Sequence, residues 1–163
     1  MSMISQALNN AINAQIGREF GASMQYIQIA AFFDERALDL TAKLFFEQSD
    51  EEREHAMKLL RYVLDAGGEV HIPPIDAPVS RFSNAEEAVG AALQWETEVT
   101  RQINSLMEIS LRENDYLARQ FLDWFVNEQL EEVNKMDKLL KIVKGVGDRN
   151  LYMLEAYISH MDT

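Results

Sequence analysis

Four long segments of this sequence carry apolar residues at alternating steps of three and four, and each interrupts its stripe with an acid near the middle. The stripes run Leu8, Ile12, Gln15, Glu19, Ala22, Tyr26, Ile29, Phe33; then Phe45, Gln48, Glu52, His55, Leu59, Tyr62, Ala66. The third is Val89, Leu93, Glu96, Thr100, Ile103, Met107, and the fourth Leu122, Phe125, Gln129, Glu132, Met136, Leu139, Val143. Such spacing marks amphipathic helices that pack along their apolar faces. Packed so, four helices bring Glu19, Glu52, His55, Glu96 and Glu132 to one level of a shared core. Burying an unpaired carboxylate costs several kcal/mol, and clustered carboxylates repel one another. A bound metal is the simplest way to stabilise that core. The other reading is a network of Glu and Gln hydrogen bonds that only fixes helix register.

No sustained period-two pattern competes with the helical one, so the fold class is all-α. Helices are predicted over about 5–33, 40–66, 83–112 and 116–144, with a short fifth over 148–158, in a single domain of residues 1–163. Asp39 is positioned to cap the second helix, and Gly67-Gly68 to end it. Ser83-Asn84-Ala85-Glu86 reads as a capping box and Gly145-Val146-Gly147 as a stop. Short connections make the first and second helices antiparallel, and likewise the third and fourth. The 17 residues from Gly67 to Ser83, with Pro73, Pro74 and Pro78, behave differently. Extended, they reach ~56 Å, more than the ~40 Å of the second helix. The connection can therefore run the length of the bundle and start the third helix where the second began. The predicted architecture is a four-helix bundle with one long crossover and a short fifth helix.

The formal charge of −12 disfavours nucleic acid and anionic membranes as partners. No apolar run approaches the roughly 18 residues of a membrane span. The opening Met1-Ser2-Met3-Ile4-Ser5 lacks the basic-then-apolar pattern of a signal peptide, so a cytoplasmic location is expected. Cysteine is absent, which excludes thiolate ligands.

Within Glu52-Arg53-Glu54-His55 the outer residues share a helix face, so a carboxylate and an imidazole can reach one ion. Oxygen-rich ligands with one His and no sulfur suit Fe(II) or Mn(II) better than a structural zinc site. Several carboxylates can also bridge two ions. No Lys or Arg lies on the stripes at that level. Tyr26, seven residues after Glu19 on the same face, is either a core aromatic or a group that touches a metal-bound carboxylate and gives up an electron. Met24, Met57, Met107 and Met136 read as core fillers, and His71 and His160 as solvated side chains.

Those residues carry a resemblance. The chain resembles the bacterial non-haem ferritins along nearly its whole length: Glu19 with Tyr26, Glu51-Glu52-Arg53-Glu54-His55, Glu96, Trp124 through Glu132, and the short helix after Gly147. The resemblance implies iron storage and detoxification in a closed, hollow homo-oligomeric shell of 24 subunits. It implies a ferroxidase that oxidises Fe(II) with O₂ or H₂O₂ and stores the ferric product as mineral. Two iron ions per subunit are implied, the first held by Glu19, Glu52 and His55. Glu52 would bridge to a second held by Glu96 and Glu132, with Gln129 beside it. Glu51, Glu128 and Glu131 match positions that bind a third iron in some bacterial ferritins. Departures from related families narrow the expectation. Arg53 stands where bacterioferritins place a haem-ligating Met, so no haem is expected. Glu128-Gln129-Leu130-Glu131 lacks the second His of bacterioferritins and many di-iron oxygenases, which favours a transit site over a permanent di-iron cofactor. Arg119 and Leu122 stand where animal ferritins line their threefold pores with acids. The rival readings are a di-iron oxygenase acting on an organic substrate, a haem-lacking bacterioferritin-type variant, and a DNA-protecting mini-ferritin. The last usually carries a basic tail, unlike Met161-Asp162-Thr163. The short fifth helix, with Leu151, Leu154 and Ile158 on one face, is expected to pack against neighbouring subunits.

Overall fold

The structure is a computed structural model that describes residues 2–161; Met1 and the tail residues Asp162 and Thr163 lie outside them. All regular structure among the described residues is helical: α1 Gln6–Asp34, α2 Asp39–Asp65, α3 Ala85–Arg112 and α4 Tyr116–Val146, then a 3₁₀ turn Asp148–Asn150 and α5 Tyr152–Met161. No described helix is long and apolar enough to cross a membrane.

The helix ends follow local chemistry, with three differences from the sequence reading. At the end of α2, Gly67 adopts a φ of 73° and the Gly68 N–H returns to the Val63 carbonyl at 2.8 Å, which satisfies an otherwise orphaned acceptor. The opening of α3 is offset by one residue from the expected box. Asn84 Oδ1 accepts from the Glu87 N–H at 2.8 Å, and Glu87 Oε2 accepts from the Ser83 N–H at 2.6 Å. At the end of α4, Gly145 and Val146 remain helical, and Gly147 alone, at φ 67°, stops it. The third difference is the cap of α2. Asp39 is its first helical residue and Leu38 offers no side-chain bond. Instead Glu155 of α5 accepts from the Leu40 N–H at 3.1 Å and the Thr41 N–H at 3.0 Å. A carboxylate placed at that helix N-terminus also complements its dipole.

Contacts along the helices fix the directions. Met3 N–H bonds the Ala66 carbonyl at 2.8 Å and Ser23 bonds Ser49, so α1 and α2 run antiparallel. Gln129 reaches Glu96 and Thr100 while Lys144 lies 3.8 Å from Glu86, so α3 and α4 do too. The crossover between α2 and α3 lies along a row of α1 residues spaced four apart. Asn9 and Asn13 hold the backbone at Glu69 and His71. Gly17 lies under Pro73, where an added Cβ would meet the ring at 2.6 Å. Gly21 faces Ile75, and the Gln25 amide makes two bonds of 2.9 Å with the Val79 backbone. The row ends with Phe82 edge-on to Phe32 at 5.8 Å. The chain thus climbs the length of α1 and starts α3 at the end where α2 begins.

Two apolar layers fill the bundle. One gathers Phe33, Phe45, Val89 and Leu139 near the α1–α2 turn; the other gathers Leu8, Leu59, Ile103 and Leu122 at the opposite end. The acid-bearing level lies between them. The fifth helix departs from expectation. Leu154 and Ile158 are buried in the chain's own core, against the first layer, because Glu155 ties α5 to the start of α2. The large apolar side chains left facing outward are Tyr152, at 68% exposure, with Met153, Tyr157 and Met161.

Replacing the distant cap tests this account. Glu155→Ala should lower unfolding free energy by about 1 kcal/mol, read as a lower denaturant midpoint by circular dichroism. Glu155→Gln, which keeps an acceptor oxygen, should lose less.

Candidate metal centre

Each helix of the bundle delivers one acid to the same buried level: Glu19 from α1, Glu52 from α2, Glu96 from α3 and Glu132 from α4. His55 joins them from the next turn of α2, its Nδ1 3.2 Å from Glu52 Oε2. Ligand atoms of Glu19, Glu52 and His55 lie within 4.8 Å of one another, and so do those of Glu52, Glu96 and Glu132. Glu52 belongs to both groups. The chemistry of this donor set, carboxylates sharing one bridging member plus a single imidazole, suits two hard or borderline cations side by side.

The amide network weighed as an alternative is also present, but it supplies donors and not charge. Gln15 Nε2 donates to Glu19 Oε1 at 2.9 Å. Gln48 Nε2 donates to Glu52 Oε1 at 3.0 Å and to Glu132 Oε2 at 2.6 Å. Gln129 Nε2 donates to Glu96 Oε2 at 3.1 Å, and the Tyr26 hydroxyl donates to Glu96 Oε1. Tyr26 therefore touches one of the acids while its ring packs near Phe45. Glu19 Oε2 is fully buried with no hydrogen-bond donor, the Glu52 carboxylate lying beside it. An orphaned carboxylate oxygen aimed into a cluster of like charges fits a cation as its missing partner.

Three predicted residues stand apart from the buried groups. Glu128 Oε1 is 3.7 Å from His55 Nε2, with its side chain about a quarter exposed. Glu51 is half exposed, and Glu131 is exposed at a separate cleft beside Lys138 and Tyr157. The sequence reading missed Gln15 and Gln48 as members of the site; the signal was there, since each precedes its Glu by four residues. It also missed Lys135. Although off the stripe, this residue donates to Gln48 Oε1 at 2.6 Å and lies 3.9 Å from Glu51, so a cation does reach the edge of the cluster. Met136 is buried as expected, whereas Met57 is exposed. His71 is exposed beside Glu69.

Electrostatics record the crowding. Burial, then the Glu52 charge, hold the Glu19 carboxyl well above the usual range. The same two causes push Glu96 up to about 8, against the bonds from Tyr26 and Gln129. Glu132 is raised to about 7 by burial, Lys135 opposing and Glu52 and Glu51 adding to the rise. Burial also raises the Tyr26 hydroxyl well above its ordinary value, helped by Glu96. For His55, burial favours the neutral ring, but the Glu52 carboxylate together with Glu132 and Glu128 outweighs it and the net shift is upward.

Comparison with known proteins finds relatives along nearly the whole chain. The family described as Ferritin-like domain matches residues 9–146. The chain is 44% identical over 148 residues to "Ferritin BfrB" of Mycolicibacterium smegmatis, covering 91% of this chain and 81% of that protein. It is 34% identical over 155 residues to "Bacterial non-heme ferritin" of Staphylococcus aureus, covering 94% of this chain and 93% of that one. Among solved structures, an open pore ferritin from the archaeon Archaeoglobus fulgidus superposes with a TM-score of 0.92 at 30% identity, over 98% of both chains.

The raised acids carry a pH signature. An acid whose folded pKa lies above its unfolded value binds more protons when folded, so its contribution turns unfavourable as pH rises between the two values. For Glu96 that window runs from the unfolded value near 4.3 to about 8. Metal-free Glu96→Gln should therefore gain stability over the wild type as pH rises through the window, by at most about 1.4 kcal/mol per pH unit. Denaturant titrations in the presence of chelator check it; parallel pH profiles for the two proteins would contradict the shift.

Proposed function

This chain belongs to the ferritin family, which binds iron, and it serves iron storage; we propose that it does so as a ferroxidase, oxidising Fe(II) with O₂ or H₂O₂ at the four-carboxylate cluster. The observation that carries this reading is the pair of buried ligand groups sharing Glu52. In it, Glu19, Glu52 and His55 hold one Fe(II), and Glu52, Glu96 and Glu132 hold a second, with Gln129 against Glu96. Iron is substrate here and supplies the electrons. The protein's part is to bind, position and exchange protons. With Glu96 pushed up to about 8 and Glu19 also held well above the usual range, some of these acids are protonated at neutral pH, so loading cations releases protons. In this reading Tyr26, whose hydroxyl bonds Glu96, hands an electron to the site.

Other features support the surrounding parts of the reading. Phe45, Leu59, Phe125 and Met136 are buried in the bundle around the acids, which favours iron over an organic substrate. A cavity of about 840 Å³ lies elsewhere, against Arg18, Gln25 and Trp95. All the ligands come from one chain, unlike the subunit-bridging sites of mini-ferritins. Arg53 is exposed and cannot ligate iron, which supports a chain without haem. The outward Tyr152, Met153 and Met161 of α5 and the exposed Ile72 and Val79 of the crossover are apolar surface suited to contacts between copies. We read the working form as a homo-oligomeric shell of 24 subunits, in the cytoplasm, with the ferric mineral inside.

Removing the shared ligand with Glu52→Ala, or the imidazole with His55→Ala, should abolish fast Fe(II) oxidation in stopped-flow absorbance while the helical fold persists. Removing one acid relieves repulsion, so metal-free Glu52→Ala should be at least as stable as the wild type. Wild-type oxidation rates in both variants would refute the site. Sedimentation of the purified protein should show one large closed species at micromolar concentration across a range of salt. A stable monomer or dimer would remove storage in a shell.

A further inference from the structure

A positive charge sits at the edge of an otherwise acidic cluster, and it belongs to the chain itself. Lys135 follows Glu132 by three residues on α4, on the adjoining face of the helix. Its Nζ donates to Gln48 Oε1 at 2.6 Å and stands 3.9 Å from Glu51 Oε2, with the side chain less than one-third exposed. With its oxygen taken by Lys135, the Gln48 amide must turn its NH₂ inward. There it donates to Glu52 Oε1 and Glu132 Oε2. A cleft of about 320 Å³ between α2, α4 and α5 opens onto Lys135 from the surface and is also lined by Glu131 and Lys138.

We propose that Lys135 is a built-in cation that occupies the place between Glu51 and Glu132 where a further metal ion would otherwise bind, and that it fixes Gln48 as a donor to the carboxylates and not as a metal ligand. This rests on the reading of the cluster as a two-metal ferroxidase centre. Two observations converge on it. The Lys135 ammonium faces two oxygens that a cation would take, Gln48 Oε1 at 2.6 Å and Glu51 Oε2 at 3.9 Å, and the same Gln48 amide bonds Glu132 Oε2 at 2.6 Å, so the charge stands between the two acids. An ammonium cannot share that place with a divalent ion, because like charges so near repel strongly even at a half-exposed site. The chain therefore keeps two cation positions and closes the third. Glu51 and Glu131 remain as acids at the rim without becoming a permanent site.

Counting a redox-inert cation tests this without turnover. Zn(II) binding to the assembled protein, measured by equilibrium dialysis, is compared for the wild type, Lys135→Met, Lys135→Arg, Lys138→Met and Glu52→Ala. Lys135→Met should bind one more Zn(II) per chain than the wild type, at a concentration about tenfold or more below that needed to force it into the wild type. Lys135→Arg should restore the wild-type count. Lys138→Met removes the same charge from the same cleft and should change nothing. An unchanged count and affinity in Lys135→Met overturns the proposal, as does an equal gain in Lys138→Met, which would make the effect one of general surface charge. Equal Zn(II) binding by wild type and Glu52→Ala would instead overturn the two-metal centre itself, and this inference with it.

Discussion

Four carboxylates held at one buried level, with one imidazole and too little positive charge to match, form the constraint on which the rest of this molecule depends. Each helix must deliver its acid at the same height, so the register of all four is set together. A slip of one residue on any helix would turn its acid about 100° away from the shared axis. The apolar layers above and below, anchored by Phe33 and Phe45 on one side and Leu59 and Leu122 on the other, exclude water from that level. That exclusion strengthens both the repulsion among the acids and their attraction for a cation.

The glutamines show how such a site survives without metal. Gln15, Gln48 and Gln129 satisfy the lone pairs of the carboxylates at 2.6–3.1 Å while leaving the net charge in place. Hydrogen-bond satisfaction and charge compensation are separate requirements, and the core meets the first everywhere but at Glu19 Oε2 while leaving the second largely unmet. Protons meet part of the second, which is why Glu19, Glu96 and Glu132 all titrate high. A metal-free cluster of this kind would be a folded arrangement whose remaining debt is electrostatic.

What could be read from the sequence was whatever repeats at short range. All of the first, second and fourth stripes is buried, and on the third only Leu93, Thr100 and Met107 are merely half-buried. Those stripes suffice for the helices, the bundle and the five inner ligands, because one periodicity determines them all. That the crossover runs the length of the bundle was read from its length, but the helix it follows was not. Its track on α1 (Asn9, Asn13, Gly17, Gly21, Gln25) also steps by four, yet it mixes amides and glycines and so resembles an ordinary solvent-facing side. Lys135 was missed because its long stem carries charge to a level its Cα does not occupy. For α5, the apolar face of Leu154 and Ile158 demanded a partner, but periodicity cannot say whether that partner is the same chain or another. The deciding contact was a carboxylate.

That carboxylate also orders events in time. Glu155 is separated from the Leu40 amide by 115 residues, so a ribosome has made α2, α3 and α4 before the group that caps α2 emerges. Until then the first turn of α2 is held by water alone, and the apolar layer beneath it stays open where Leu154 and Ile158 belong. A chain interrupted before α5 would present an uncapped helix and a bare patch of core to the cell's quality control. Completion of synthesis is thereby written into the surface of this end of the bundle.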